Sequence, residues 1–323
     1  MFIAVRTGLE PATPCVTGMY SNQAELPHQV PFRDCKDRYL FLNTKFLFYV
    51  CRDFDSQYRR VKNQDRTNRM IISKMGKLKV DIDPKYSRYA SEISAIPSKY
   101  DSLRVSKTFC NNRNCVSLIK VENFDWVLKR YMRPIFINSL IYTFIRPNKA
   151  IRAYRYAKRL LEMGIDTPYP VAYMATYRFG LFDIGYFISE YSSYRQLYET
   201  DSLSETDRKK LYRAFAEFTA DLHRKRICHP DYNPGNILWG RTGDGEFKFM
   251  LVDINRLSFG KRSVRPYIKS LAEEHLPANL LEDYCAIMGY DLKMAESVIM
   301  QKRRHNARKM RLKELLGLKR KQE

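Results

Sequence analysis

Between residues 229 and 256 the chain reads His229-Pro-Asp231-Tyr-Asn233-Pro-Gly-Asn236-Ile-Leu and then, after a turn, Leu251-Val-Asp253-Ile-Asn255-Arg256. A polar loop presents one carboxylate and returns an amide five residues later (236 − 231). An apolar strand then delivers a second carboxylate 17 residues on (253 − 236). Phosphoryl transfer asks for such groups: a carboxylate to orient an acceptor hydroxyl and take its proton, and hard oxygen ligands for a Mg²⁺ ion bridging phosphates. Asp231 suits the first task, Asn236 and Asp253 the second. Each also has a plainer explanation, Asp231 and Asn233 as turn formers before Pro234-Gly235 and Asp253 as a strand-end cap. His229 reads as a core histidine. His223, His229 and Asp231 do not make a zinc site, because no third clustered His or Cys stands at ligand spacing.

The elements that must position these groups are partly readable. Short strands are expected over 117–121 and 124–131. In the second, Phe124, Trp126 and Leu128 alternate with Asp125, Val127 and Lys129, the period of a half-buried strand. That period places Lys129 on one face with Asp125 and Val127, able to point into a cleft; the plainer reading is a solvated edge-strand lysine. A helix is expected over 148–163, closed by Gly164, and a strand over 185–190. A longer helix over 205–225 has Ser204 as N-cap, Asp207 three residues on, and a buried stripe of Leu211, Phe215, Phe218 and Leu222. Strands over 236–239 and 247–253 flank the turn signal TGDG (242–245). Strands with one helix, followed by a helical half with an inserted hairpin, predict an α+β architecture with a small sheet lobe and a larger helical lobe.

The spacing H-x-D-x-x-x-x-N with a following Asp is that of a kinase catalytic loop. The runs HPDYNPGNILW (229–239) and FMLVDINRLSFG (249–260), with NKAIRAYRYAKRLLEMGIDTPYPVAY (148–173), resemble the lipopolysaccharide core sugar kinases. These phosphorylate 3-deoxy-D-manno-octulosonic acid (Kdo) or heptose and have a two-lobed, protein-kinase-like fold. The likeness spans about residues 76–290. It implies Asp231 as catalytic base, Asn236 and Asp253 as Mg²⁺ ligands, and His229 as the brace of the loop. It also implies Lys129 as the lysine pairing ATP phosphates, and Phe187–Tyr191 as the inter-lobe hinge, where the backbone at Glu190 and Tyr191 would hold adenine. ATP and Mg²⁺ are the implied cofactors. The implied acceptor is the lipopolysaccharide core on lipid A, with Kdo as the expected sugar and heptose or another small molecule as the alternative.

Three departures stand out. Arg155 occupies the helix position where a glutamate should meet Lys129, and Glu162 is the helix's only acidic substitute. The expected phosphate-covering turn, Cys110-Asn-Asn-Arg-Asn-Cys115, has no glycine. Asp253 is followed by Ile-Asn rather than Phe-Gly, and no A-P-E follows, which suits a small-molecule or glycolipid kinase over a regulated protein kinase. The first departure also motivates a rival reading, a catalytically inactive kinase-like binding module.

The chain of 323 residues carries 57 Lys and Arg against 35 Asp and Glu, a net charge of +22. Residues 1–31 contribute −1, 32–74 contribute +6, 75–300 contribute +9 and 301–323 contribute +8, so much of the excess flanks the kinase-like body. This points to docking on an anionic inner-membrane surface through a basic C-terminal helix over 301–323, rather than to nucleic acid, for which no recognition motif is present. The apolar runs Tyr39–Cys51 and Pro134–Ile145 are too short to span a bilayer, and no signal peptide is recognisable. Seven Cys without a C-x-x-C pair fit reducing, cytosolic surroundings. The expected site of action is therefore cytoplasmic, peripheral to the inner membrane, with no obligate protein partner evident. Residues 1–75 read as an N-terminal extension, largely without fixed structure, or as translation from a start placed too early, the working chain then beginning at Met75. The catalytic domain is expected over 76–300, divided near residue 190.

Overall fold

The computed structural model describes residues 69–73, 76–111, 114–273 and 275–315. The expectations for residues 1–68, for Met75 as a start and for the turn at 112–113 lie outside them. The first half comprises β1 (Arg69–Ser73), β2 (Gly76–Ile82), α1 (Ala90–Ala95), β3 (Val105–Asn111), β4 (Asn114–Val121), β5 (Phe124–Tyr131), α2 (Phe136–Phe144), α3 (Lys149–Glu162), β6 (Pro170–Arg178) and β7 (Leu181–Glu190). Its strands form one antiparallel sheet in the order β1-β2-β6-β7-β5-β4-β3. The second half comprises β8 (Arg195–Gln196), α4 (Glu205–Arg224), β9 (Ile227–Cys228), β10 (Ile237–Arg241), β11 (Phe247–Leu251), β12 (Ser258–Phe259), α5 (Arg265–Ser270), α6 (Leu280–Met288) and α7 (Leu292–Leu315). The architecture is α+β, a β-rich lobe followed by a mainly helical one.

Each lobe has its own core. In the sheet lobe, alternate residues of β5 turn Trp126 and Leu128 inward, where Trp126 meets the rings of Tyr86, Tyr89 and Phe124. In the helical lobe, Leu211, Phe215 and Leu222 of α4 pack on Tyr232, Phe249 and Leu251. Burying a side chain of this size contributes about 2 kcal/mol.

Helix ends follow local chemistry. The Ser204 hydroxyl accepts from the Asp207 N–H at 3.0 Å, with Glu205 and Asp207 in the first turn of α4 and His223 and Arg224 in the last, matching the helix dipole. The buried Asn148 caps α3 by accepting from the N–H groups of Ala150 and Ile151 at 3.0 and 3.1 Å. Gly185 of β7 lets that end of α3 approach the sheet: a Cβ there would sit 3.0 Å from Ala150 Cβ.

Several boundaries differ from the sequence expectations. The sheet begins at Arg69, ahead of residue 76, because β1 pairs along β2. Strand β6 and helix α2 were not expected; both are apolar runs whose type periodicity alone does not fix. The basic C-terminal helix has no boundary at 300. It is the continuation of α7, anchored by Ala295, Val298 and Ile299 in the core of the helical lobe. Strand β11 ends at Leu251, so Asp253 lies beyond the ladder.

His223 is a satisfied core residue, with Nδ1 3.0 Å from the Tyr284 hydroxyl and Nε2 3.5 Å from Ser270 Oγ. Burial pushes its pKa down from 6.5 to about 3. Below pH 6.5 the unfolded chain takes up a proton that the native site refuses until about pH 3, so acid erodes stability across that window, by about 1.4 kcal/mol per pH unit once the unfolded form is mostly protonated. We therefore expect the urea midpoint to fall between pH 7.5 and pH 5, and to fall less steeply in His223→Gln. Equal slopes in the two proteins would rule this out.

Candidate active site

The loop after β9 is held by its own side chains. Asp231 N–H donates to His229 Nδ1 at 3.2 Å, which leaves His229 Nε2 to donate to the Val252 carbonyl at 3.1 Å. This arrangement needs a neutral imidazole, and burial lowers the His229 pKa accordingly. His229 thus ties the loop to the chain immediately before Asp253. Asn236 Nδ2 donates to the Asp231 carbonyl at 2.8 Å, and Gly235 N–H donates to Asn233 Oδ1 at 3.0 Å. Tyr232 is buried, its ring stacked on Phe215 and its hydroxyl 2.9 Å from Thr219 Oγ1. With its neighbours fixed in this way, the Asp231 carboxylate has little freedom to turn inward.

Asp253 adopts a left-handed backbone (φ 52°, ψ 40°), costly for a residue with a Cβ. The turn is enforced from both sides: Val252 N–H donates to the Asn236 carbonyl at 3.0 Å, and a short 3₁₀ turn over Ile254–Arg256 packs beneath α3. Lys129 Nζ lies 2.6 Å from Asp253 Oδ1, and Asn255 Nδ2 donates to the same oxygen at 2.5 Å. Burial would raise the Asp253 carboxyl, but the Lys129 ammonium and the Asn255 hydrogen bond outweigh it and hold it below its ordinary value. Arg256 Nη1 reaches Asp231 Oδ2 at 2.5 Å. The structure therefore brings Lys129, Asp231, Asn236 and Asp253 into one linked network, with Arg256 as a fifth member attached to Asp231 rather than to Asp253.

Helix α3 supplies no acid to Lys129. Glu162 is exposed in its last turn, and the acid that meets Lys129 is Asp253 itself. Among the cations of α3, Lys158 is paired away from the site, its Nζ 3.1 Å from Asp83 Oδ2. The first turn of α3 contains Lys149 and no acid, so an ammonium adds to the positive end of the helix dipole. Burial and Arg152 push the Lys149 pKa down, while its interactions with Asp253, Lys129 and Arg256 place it in the electrostatic field of the site. The resulting surroundings favour anionic ligands.

At the end of β7 the expected hinge behaves differently. The Glu190 N–H donates to the Tyr169 carbonyl at 2.9 Å and the Tyr191 N–H to the Asp125 carbonyl at 3.1 Å, so both amides are committed within the protein. The Glu190 carboxylate accepts from Lys85 Nζ at 2.6 Å and from the Tyr86 hydroxyl. Adenine could not take these two N–H groups without displacing backbone bonds, and Ser192 and Ser193 are the next amides in the chain. Tyr191 contributes its ring instead: it faces Phe109 of β3 at 6.4 Å between centroids and 20° between planes. Sequence reasoning missed Phe109, whose only signal is an aromatic residue beside the expected phosphate-covering turn.

The oxygen donors present fit a Mg²⁺ ion. Asp253 offers a carboxylate, and Asn236, whose Nδ2 is engaged with the loop, has its amide oxygen left for a ligand.

Residues 109–265 match the model of the "Lipopolysaccharide kinase (Kdo/WaaP) family". No curated protein matches the sequence. A solved structure described as WaaP in complex with acyl carrier protein is similar to the chain, with a TM-score of 0.49 and 15% identity over 71% of this chain and 98% of that one. A Rio2 kinase–ADP/Mg²⁺–phosphoaspartate complex from Chaetomium thermophilum has a TM-score of 0.38 and 13% identity over 77% of this chain and 86% of that one.

Replacing Lys129 by Met should raise the Asp253 carboxyl pKa, read by NMR titration of the aspartate side chains. An unchanged titration would show that the ion pair does not set it. Taken with the linked loop, strand and turn, the match makes residues 109–265 similar to the lipopolysaccharide kinase family, whose members are phosphotransferases acting on a sugar hydroxyl.

Proposed function

We propose that the chain is an ATP- and Mg²⁺-dependent kinase that phosphorylates a Kdo hydroxyl of the lipopolysaccharide inner core. The observation that carries this reading is the convergence of Lys129, Asp231, Asn236 and Asp253 from three separate segments on one site, a sheet strand, the loop after β9 and the turn after β11. Asp231 orients the acceptor hydroxyl and takes its proton, while Arg256 fixes the carboxylate's direction. Lys129 exchanges Asp253 for the non-transferred phosphates when nucleotide binds. Asp253 and Asn236 would hold Mg²⁺, which when bound offsets charge on the phosphates. Phe109 and Tyr191 form an aromatic wall where adenine would stack. The positive surroundings from Lys149, Arg152 and Arg256 suit Kdo, whose own carboxylate makes it an anionic acceptor, better than neutral heptose. A membrane-embedded acceptor places the enzyme at the cytoplasmic face of the inner membrane.

A second reading, an inactive nucleotide-binding module, is favoured by one observation, the lack of an α3 acid facing Lys129. Incubation with ATP, Mg²⁺ and acceptor lipids with and without heptose, followed by mass spectrometry, separates the readings. We expect a single phosphate on Kdo-lipid A, and a kcat lower by about 10²–10⁴-fold in Asp231→Asn with nucleotide binding intact. Phosphorylation only of heptose-bearing lipid would make the enzyme a heptose kinase. Nucleotide binding without turnover in the unmodified protein would support the inactive module.

A further inference from the structure

Helix α2 is turned inside out. Its small polar residues face the protein: Ser139 is buried and its hydroxyl donates to the Phe182 carbonyl, while the Thr143 hydroxyl donates to the Ser139 carbonyl at 2.7 Å and accepts from the Phe182 N–H at 2.8 Å. Three of its large apolar residues face outward, while Leu140 and Ile141 are half-buried. Phe136, Ile137 and Phe144 are 68%, 52% and 72% exposed, and fall within one arc of the helix. A helix on a water-soluble surface presents the opposite polarity. Other exposed apolar side chains stand nearby in the chain and fold, Met132 and Ile135 just before the helix and Phe179, 92% exposed, in the β6–β7 turn three residues ahead of Phe182, which α2 contacts. Exposed large apolar side chains grouped in this way mark an interaction site.

Charge identifies the occupant. From Val127 to Leu161 the chain has nine Lys or Arg and no Asp or Glu. Exposed cations flank the apolar surface. Arg146 follows α2 and lies over Tyr142 at 5.2 Å, and Arg178 lies over Phe179 at 5.3 Å. Arg133 precedes α2 and is paired with Asp183, the acid that faces this region. Apolar side chains on a convex helix with long cations at its margins are the pattern of an interfacial helix, whose rings enter the acyl boundary while the cations meet lipid phosphates. The adjoining cavity, about 190 Å³, is lined by Met132, Ile135 and Lys149 among others.

We propose that α2, with Met132, Ile135 and Phe179, is the surface by which the protein docks on an anionic lipid bilayer. Tyr131 also lines that cavity, and Lys129 Nζ lies 5.5 Å from the centre of its ring, so docking there would bring the proposed catalytic site towards the bilayer surface. The inference deepens the kinase reading by naming the surface that meets a lipid-borne acceptor. It assigns insertion to this helix rather than to the end of α7, where the exposed Met310, Leu312 and Leu315 are interspersed with cations.

The test is co-sedimentation of the full chain with vesicles of phosphatidylglycerol and phosphatidylethanolamine that contain no acceptor. Phe136→Gln/Phe144→Gln should raise the apparent Kd at least about tenfold without lowering the melting temperature, since both residues are exposed. Arg146→Gln/Arg178→Gln should weaken binding to anionic vesicles, with a shallower salt dependence. Phe144→Trp should shift its emission to the blue when vesicles are added. Binding by the phenylalanine double variant equal to that of the unmodified protein would overturn the proposal, as would no vesicle binding at all. So would a dimer that the double substitution dissociates, or binding to an acidic acyl carrier protein that it abolishes while vesicle binding persists. Because the vesicles carry no acceptor, this result stands apart from the kinase reading. Phosphorylation of a lipid-free Kdo saccharide should be unchanged in the double variant, and its absence from every form of the protein would count against the kinase reading alone.

Discussion

The ion pair between Lys129 and Asp253 joins residues 124 positions apart and is the contact on which the site is organised. One partner stands on the fifth strand of the sheet, the other in a left-handed turn of the helical lobe. Neither position is adaptable. Lys129 is fixed by the alternation of β5, whose buried residues Trp126 and Leu128 set the face it must occupy. Asp253 is fixed by a backbone conformation that only a crowded surround would maintain. The pair is partly sheltered, so the attraction is stronger than at an open surface, and the cost of leaving either charge alone is higher.

Around this contact, buried hydrogen bonds rather than further charges do the positioning. A neutral His229 connects the Asp231 amide to the Val252 carbonyl, so loop and turn move as one piece. Helix α3 closes over that turn with a basic first turn instead of an acidic contact to Lys129. Its Lys158 reaches back to Asp83 and its N-cap Asn148 lies against Gly185, so the helix is held by the sheet. The missing glutamate therefore leaves α3 anchored, and leaves Lys129 with a partner that also has oxygen to offer a metal ion.

The same sheet explains the placement of α2. Phe182 of β7 offers its backbone N–H and carbonyl to the hydroxyls of Thr143 and Ser139, and this polar seam turns the apolar side of the helix outward. Backbone groups next to a polar seam are satisfied, whereas an apolar seam there would have left the Phe182 groups without partners. The contact between Lys129 and Asp253 and the outward apolar helix thus share the framework of β5, β7 and α3.

Local chemistry carried much of the sequence reading. The alternation over Phe124–Tyr131, the caps at Asn148 and Ser204 and the glycine after α3 fixed those elements closely, because each depends on neighbours within a few residues. The spacing of Asp231, Asn236 and Asp253 likewise pointed to phosphoryl transfer before any contact was known. What no local pattern could decide was pairing between distant segments. Only the fold assigns Arg256 to Asp231, gives Lys129 an aspartate in place of the absent helix glutamate, and commits the amides of Glu190 and Tyr191 to the carbonyls of Tyr169 and Asp125. The run 134–145 read merely as an apolar stretch too short for a bilayer. Which side of it faces water depends on two hydroxyls meeting one strand residue, and that meeting exists only in three dimensions.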